Sequence, residues 1–347
     1  MSKKGSQAGS KFKSLIQGTE TSNKLEQAIS QLEGGYAAMA TSSGLAAITT
    51  SLFAFLSNGD HILVVDTVFG PVRRFCDDVL ARYGVETTYY SPTLGEEIQQ
   101  LIKPNTQVIY MESPGSITFD VQDIPTITTV AQKAGITTIL DNTWSSPIFF
   151  KAMDFGVNVS IHAATKHISG HSDIVMGIII TDEESWPTLR KQYIDIGQTP
   201  PSEEVSLALR GLRTLPLRLK EQSNKALIIA RWLHGHPQVE HVYHPALPSC
   251  TGHHIWLKYY EGSANLLSFQ LTDKSDIALE AFINSLDLFS IGASWGGFES
   301  LVLPFKLSNE EGMPKNIIRL SIGLENINDL IHDIECSFES TKATTTY

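Results

Sequence analysis

Cysteine, positive charge and long apolar runs are all scarce in this chain. Its 347 residues include 3 cysteines, Cys76, Cys250 and Cys336. These are scattered, with no Cys-x-x-Cys pair, so neither a zinc knuckle nor a thioredoxin-like redox motif is indicated. A sparse, odd count suits a reducing compartment. Lysine and arginine number 26 against 37 aspartates and glutamates, for a formal charge of −11. Sequence-independent nucleic-acid binding needs an excess of cations, so this chain is a poor candidate for it. The longest apolar runs, such as 175–180, fall far short of a membrane span. No apolar stretch near Met1 reads as a secretory signal. The opening MSKKGSQAGSKFK is basic and acid-free but lacks arginine and an amphipathic face. We read it as a flexible tail, within an altered or truncated arm over 1–22, rather than a transit peptide. With no targeting signal, a cytoplasmic location is the default.

Apolar residues make up 42% of the chain, enough to bury sizeable cores. Between about 25 and 180, strand-like and helix-like segments alternate. The strand candidates are 61–66 (HILVVD), 107–112 (QVIYME), 136–141 (ITTILD), 160–165 and 174–180. Each is short, rich in β-branched residues and nearly continuous in apolarity, as strands buried on both faces of a parallel sheet are. Helical patterns cover 44–56, 71–83 and 124–133. The last has Asp123 as N-cap, Pro125 in its first turn and Gly135 as its end. Such alternation predicts helices on both faces of a mostly parallel α/β sheet, with ligands at the carboxyl ends of the strands. After about 212 the pattern changes. A long amphipathic helix over 217–233 is followed by strands at 266–271 and 317–322 and helices at 277–286 and 327–338, which predicts a smaller α+β unit. The expected division is a large unit over 23–213 and a C-terminal one over 214–347.

Two strand ends carry the chemistry. Asp141, in ILDNT, closes one apolar strand, and Lys166, in AATKH, follows the next. Singly, the first reads better as a turn or N-cap acid, and the second equally well as a lysine that reaches the surface. Together they match the needs of pyridoxal phosphate, which takes a lysine as its covalent anchor and a carboxylate to keep its ring nitrogen protonated. The hydroxyl-rich turn TSSGLA at 41–46, opening into a helix, would cradle a phosphate.

The run AATKHISGHSDIVMG around Lys166 resembles the cofactor-lysine signature of the Cys/Met-metabolism pyridoxal-phosphate enzymes, which have the fold-type I architecture. Further landmarks of that family occur in order: LEGG at 32–35, SSGLAA at 42–47, ESPGS at 112–116, LDNTW at 140–144, RGLRTLPLRL at 210–219, HPALPS at 244–249, SWGGFES at 294–300 and IRLSIGLE at 318–325. The resemblance spans roughly 25 to 340. ESPGS and ASWGGFESL are most similar to the bacterial cystathionine β-lyase branch. The resemblance implies roles residue by residue. Lys166 would bind the cofactor and move protons. Asp141 would face the ring nitrogen. The Gly44 and Leu45 amides and the Thr165 hydroxyl would hold the phosphate, and Phe69 would stack on the ring. Arg319 would clamp the substrate α-carboxylate, and Ser294 and Trp295 would line the pocket, although Trp295 also reads as core. No metal is implied; His162, His167 and His171 belong to the lysine landmark. The implied activity is carbon–sulfur β-elimination on a small sulfur amino acid, L-cystathionine, in methionine biosynthesis, by a homo-oligomer of the tetramer type assembled from dimers.

The chain departs from the family pattern in two places. Phe69 stands where the family has a tyrosine, so a hydroxyl is lost and a lower rate is expected. Ser14 and Ile16 stand where a Tyr-x-Arg motif reaches the phosphate of a neighbouring subunit. Losing one charge-assisted phosphate pair costs about 1.5–3 kcal/mol. Three readings stay open: a β-lyase; a sister activity such as γ-elimination, γ-replacement, cysteine desulfhydration or alanine racemisation; and a cofactor-poor scaffold. His253 and His254 are expected on an exposed loop, and Cys250 as structural or exposed.

Overall fold

The computed structural model describes residues 18–308 and 314–344. Ser14, Ile16 and the rest of 1–17 lie outside them. The first helix, α1 (Glu20–Glu33), starts at a reciprocal cap in which Thr19 and Ser22 bond each other's backbone amides, and it ends at Gly34 in the left-handed region. Then follow β1 (Ala37–Thr41), α2 (Gly44–Phe55), β2 (His61–Val65) and α3 (Gly70–Arg74). A π turn over Phe75–Leu80 and a 3-10 turn over Ala81–Tyr83 continue α3. The chain proceeds through β3 (Glu86–Tyr90), β4 (Thr106–Glu112), α4 (Ile124–Ala134), β5 (Thr137–Asp141), α5 (Ser146–Phe149), β6 (Val159–Ala163) and β7 (Gly177–Thr181). Helix α4 is bounded as its sequence signals predict: Asp123 accepts from the Thr126 amide at 3.3 Å, Pro125 sits in the first turn and Gly135 takes the left-handed cap.

These strands form one sheet in the order β1-β7-β6-β5-β4-β2-β3. Among the described residues β7 alone runs against the rest. The sheet is covered on both faces, so β2 and β7 are buried at every residue. His61, at the start of β2, is buried and bonded at both ring nitrogens, to Thr106 Oγ1 at 2.7 Å and Thr88 Oγ1 at 2.8 Å.

Helices α6 (Trp186–Ile196), α7 (Ser202–Leu212) and α8 (Leu215–His234) lead to the second sheet. Its elements are β8 (Val239–Tyr243), α9 (His253–Tyr259), β9 (Leu266–Leu271), α10 (Asp276–Asn284), β10 (Ser290–Ile291), β11 (Leu301–Ser308), β12 (Pro314–Ser321) and α11 (Ile327–Thr344), with strand order β10-β11-β12-β9-β8. Phe269, Phe282 and Phe338 meet in its core, with ring centroids 5.0 to 6.2 Å apart.

One expectation changes. His253 and His254 open helix α9 instead of lying on a loop, because the Gly252 carbonyl takes the Ile255 and Trp256 amides at 2.9 and 3.0 Å. One element also carries little signal in the sequence. Strand β1 is AAMAT, with little β-branching, yet its residues from Ala38 to Thr41 are all buried.

Candidate active site

The site lies at the carboxyl ends of β4, β5 and β6. Register decides which side chains share a face there. Asp141 pairs with Ile161 across β5–β6, so Ala163, two residues on, lies on the Asp141 face. Helix α2 covers that face: a Cβ on Gly44 would come within 2.7 Å of the Ala163 Cβ. The intervening residues turn the other way. Asn142, Ser160 and His162 all bond the buried Glu33 carboxylate, at 3.0, 2.6 and 3.2 Å. His162 therefore belongs to the back of the sheet and not to the lysine pocket.

Lys166 follows β6 in a tight turn. Its amide donates to Ala163 O at 3.0 Å, and its carbonyl accepts from the Gly170 amide at 2.8 Å. Its Nζ donates to Ser294 Oγ at 2.8 Å and lies 5.4 Å from the centre of the Trp295 ring. Burial, and next the Arg319 guanidinium, bring its pKa down to about 8, while Asp141 acts in the opposite sense. That places the amine near neutrality, where it can both take and give a proton.

Asp141 is buried, and burial raises its carboxyl pKa. Hydrogen bonds from Thr143, whose amide lies 2.9 Å away, and the fields of His162 and Lys166 act against that rise. Glu112 pairs with it in register at the end of β4 and is raised as well, first by burial and then by Asp141. Glu112 also holds the Phe69 amide at 2.7 Å, leaving the Phe69 ring exposed at the mouth. Sequence reasoning did not count Glu112 as a site residue. Its signal was available, since it opens ESPGS at a strand end one strand away from Asp141.

On α2, Ser43 caps the helix: its hydroxyl accepts from the Ala46 amide at 3.0 Å and its carbonyl from the Ala47 amide at 3.0 Å. The amides of Gly44 and Leu45 are left without an intrahelical acceptor. The Thr165 hydroxyl donates to Met176 O at 3.2 Å and accepts from the Met176 amide at 3.0 Å. Here it ties the ends of β6 and β7, and reaching a phosphate requires its hydrogen to turn away from Met176.

Arg319, on β12, comes from the second sheet. It is buried, bonds the Ala293 carbonyl at 2.8 Å, and its Nε has no partner. Among the described residues no carboxylate pairs with it. Trp295 is half-buried; it packs beside Phe119 and Trp144 and lies edge-on to the His167 ring at 5.2 Å. Both roles expected of it are therefore compatible. Cys250 is buried, with its thiol toward Phe119 O at 3.4 Å, and burial pushes its pKa up to about 12.

These features fit pyridoxal phosphate. Asp141 and Glu112 are adjacent buried carboxylates with no ion pair among the described residues, and a protonated ring nitrogen at Asp141 would supply one. The free Gly44 and Leu45 amides offer an anion seat at a helix N-terminus. The unpaired Arg319 offers a fork for an amino-acid carboxylate.

Comparison with known proteins gives the same picture. The sequence profile described as Cys/Met metabolism PLP-dependent enzyme matches residues 3–339. The cystathionine beta-lyase MetC of Escherichia coli is 39% identical over 332 residues, covering 92% of this chain and 84% of the relative. An L-alanine/L-glutamate racemase of Wolbachia pipientis is 38% identical over 327 residues, covering 92% and 81%. Among solved structures, cystathionine gamma-lyase from Lactobacillus plantarum, complexed with L-serine, superposes with a TM-score of 0.90 at 29% identity, over 98% of this chain and 91% of that one.

Proposed function

The chain belongs to the Cys/Met metabolism PLP-dependent enzymes, and from that membership we propose that it is a carbon–sulfur β-lyase acting on L-cystathionine. Breaking the Cβ–S bond releases homocysteine, and one water converts the remaining three-carbon fragment to pyruvate and ammonia. The observation that carries the reading is Lys166: a half-buried amine with a pKa of about 8, held by Ser294 and set between Asp141 and an unpaired Arg319.

When bound, pyridoxal phosphate withdraws the electron pair left at the substrate Cα. Lys166 would hold it, with Asp141 at the ring nitrogen and the Gly44 and Leu45 amides at the phosphate. The chain's own residues do the rest. Arg319 grips the α-carboxylate in a bidentate pair, which fixes the direction of the Cα–H bond. Lys166 Nζ, held at 2.8 Å from Ser294 Oγ, would take the Cα proton. Ser294 Oγ accepts a hydrogen bond from that nitrogen and so aims it. Trp295, 5.4 Å from the Lys166 nitrogen, gives the site an apolar wall.

A second reading, amino-acid racemisation, draws on the Wolbachia relative; it uses the same lysine and the same Cα proton. The division at 213/214, a cytoplasmic location and a homotetramer assembled from dimers go with the proposal. Leu217 and Ile228, exposed on α8, offer apolar surface for such assembly. No helix among the described residues is long and apolar enough to cross a membrane.

The test is the visible spectrum of purified protein with added pyridoxal phosphate, before and after L-cystathionine, with pyruvate and free thiol measured in the same sample. A cofactor band absent in Lys166→Ala, together with both products, supports the β-lyase. A band without pyruvate sends the reading to racemisation or γ-chemistry. No band at saturating cofactor refutes the enzyme.

A further inference from the structure

One face of α8 carries three polar side chains almost fully withdrawn from water: Arg218, Gln222 and Lys225, exposed by 7%, 1% and 8%. Steps of four and three residues align them in a row. Burying such groups is costly unless each is bonded. All three donate to backbone carbonyls, and the carbonyls belong to the segments that carry the site.

Arg218 Nη2 donates to His167 O at 3.0 Å and Gly211 O at 2.8 Å, while its Nε donates to Thr214 Oγ1 at 3.0 Å. A Cβ on Gly170 would fall 1.6 Å from Arg218 Nη1, so the guanidinium is seated against the turn that follows Lys166. Gln222 Nε2 donates to Gly297 O at 2.6 Å and Ile322 O at 3.2 Å. Gly297 lies just beyond Ser294 and Trp295, and Ile322 just beyond Arg319. Lys225 Nζ donates to Leu324 O at 3.1 Å and Glu325 O at 2.8 Å, and pairs with Glu221 at 3.1 Å. The Glu325 carboxylate then holds the Ser300 amide and hydroxyl at 2.7 and 2.8 Å, closing the far end of the 294–300 loop.

We propose that this row is a positioning element: it fixes the substrate-binding loop and the end of β12 against the lysine turn, and Gln222 ties loop to strand at Gly297 and Ile322, beside the bond from the Leu324 amide to the Phe298 carbonyl at 2.7 Å. Gln222 touches neither substrate nor reacting atoms; it acts through the carbonyls of Gly297 and Ile322. The Arg319 guanidinium reaches back to the Ala293 carbonyl at 2.8 Å, so loosening the loop at Gly297 shifts it against the carboxylate clamp. The turn after Lys166 keeps its own anchor, through His167 O, on Arg218. The inference rests on the amino-acid-enzyme reading above.

The test uses the full chain, wild type and Gln222→Met, which keeps the volume and removes the donors. Two neutral hydrogen bonds set the expected effect at about tenfold. Amide hydrogen exchange, measured without substrate, is expected to quicken about tenfold over 294–300 and 320–325 and to stay unchanged over 166–170. With pyridoxal phosphate bound, the dissociation constant for L-alanine, read from the visible spectrum, is expected to rise about tenfold, with cofactor affinity held within about twofold. L-Alanine has no β leaving group, so this arm does not depend on lyase activity. Unchanged exchange over 294–300, or faster exchange everywhere with a lower melting temperature, overturns the proposal. If wild type itself ignores L-alanine, the amino-acid reading fails, and the exchange arm alone decides the row. Should Gln222→Met not fold, Lys225→Met carries the same exchange measurement, with the loss expected over 322–325.

Discussion

Gly44→Ala tests the placement of the phosphate seat most directly. The new Cβ would lie 2.7 Å from the Ala163 Cβ and 3.2 Å from its Cα. Carbon atoms prefer about 3.5–4.0 Å, so the start of α2 must lift from β6 by about 1 Å, as the same preference requires. Both atoms are fixed to backbone, and no rotamer relieves the contact. Overpacking of this kind costs about 1–3 kcal/mol. An alanine at a compatible site returns about 0.4–1 kcal/mol through the unfolded chain, which is too little to reverse the sign. Because the displaced atoms include the Gly44 and Leu45 amides, the cost is expected in the holo form, as about 5- to 150-fold weaker binding of pyridoxal phosphate. Titration of the visible band measures it. Ala163→Gly removes the opposing Cβ, so Gly44→Ala/Ala163→Gly should recover most of the loss, as a positive coupling in a double-mutant cycle. Binding within about twofold of wild type in Gly44→Ala, or no recovery in the double variant, would refute the reasoning.

Three further outcomes are expected. Arg319→Lys replaces a fork by a point charge, so KM for the amino acid should rise about 10- to 100-fold, with a smaller change in cofactor affinity, read from steady-state kinetics and band titration. Lys166 titrates at about 8 in the fold against 10.5 when unperturbed. The unfolded chain therefore binds more protons between those values, and stability of the cofactor-free protein should rise with pH across that window. The cost of the buried charge is fully present below about pH 8, so Lys166→Met should be stabilising there and should lose that advantage by about pH 10; denaturant melts across the range check the sign, and a gap that widens with pH would contradict it. Phe338→Ala opens the core shared with Phe269 and Phe282 and should cost about 3–5 kcal/mol in denaturant unfolding, with kcat per folded molecule nearly unchanged.

Much of this site is legible in the amino-acid sequence. ILDN and ATKH signal chemistry only as a pair, because an acid and a lysine at neighbouring strand ends match one cofactor's needs while each alone has an ordinary structural reading. The Asp123, Pro125 and Gly135 signals bound α4 because they act through local backbone geometry. Helix α1 begins at Glu20, inside the stretch read as an arm over 1–22, and the Thr19 and Ser22 cap that starts it is present in the letters. Strand β1 is hidden because alanine favours no strand, and its partner β7 lies far along the chain, beyond five other strands of the same sheet.

The sequence by itself determined the alternating α/β order, the lysine and aspartate at neighbouring strand ends, the hydroxyl-rich helix start and the family. These follow from local periodicity and short motifs. Only the tertiary structure decided which side chains share a face. It put His162 with Glu33 behind the sheet, set Glu112 beside Asp141, and brought Arg319 from the second sheet to Lys166 in the first. Helix α8 shows why. Its pattern reads as amphipathic, yet Leu217 is 74% exposed while Arg218, Gln222 and Lys225 are buried. Their acceptors are backbone carbonyls of His167, Gly297, Ile322 and Leu324, and a carbonyl has the same chemistry at every residue, so no side-chain pattern marks which ones a distant helix will meet.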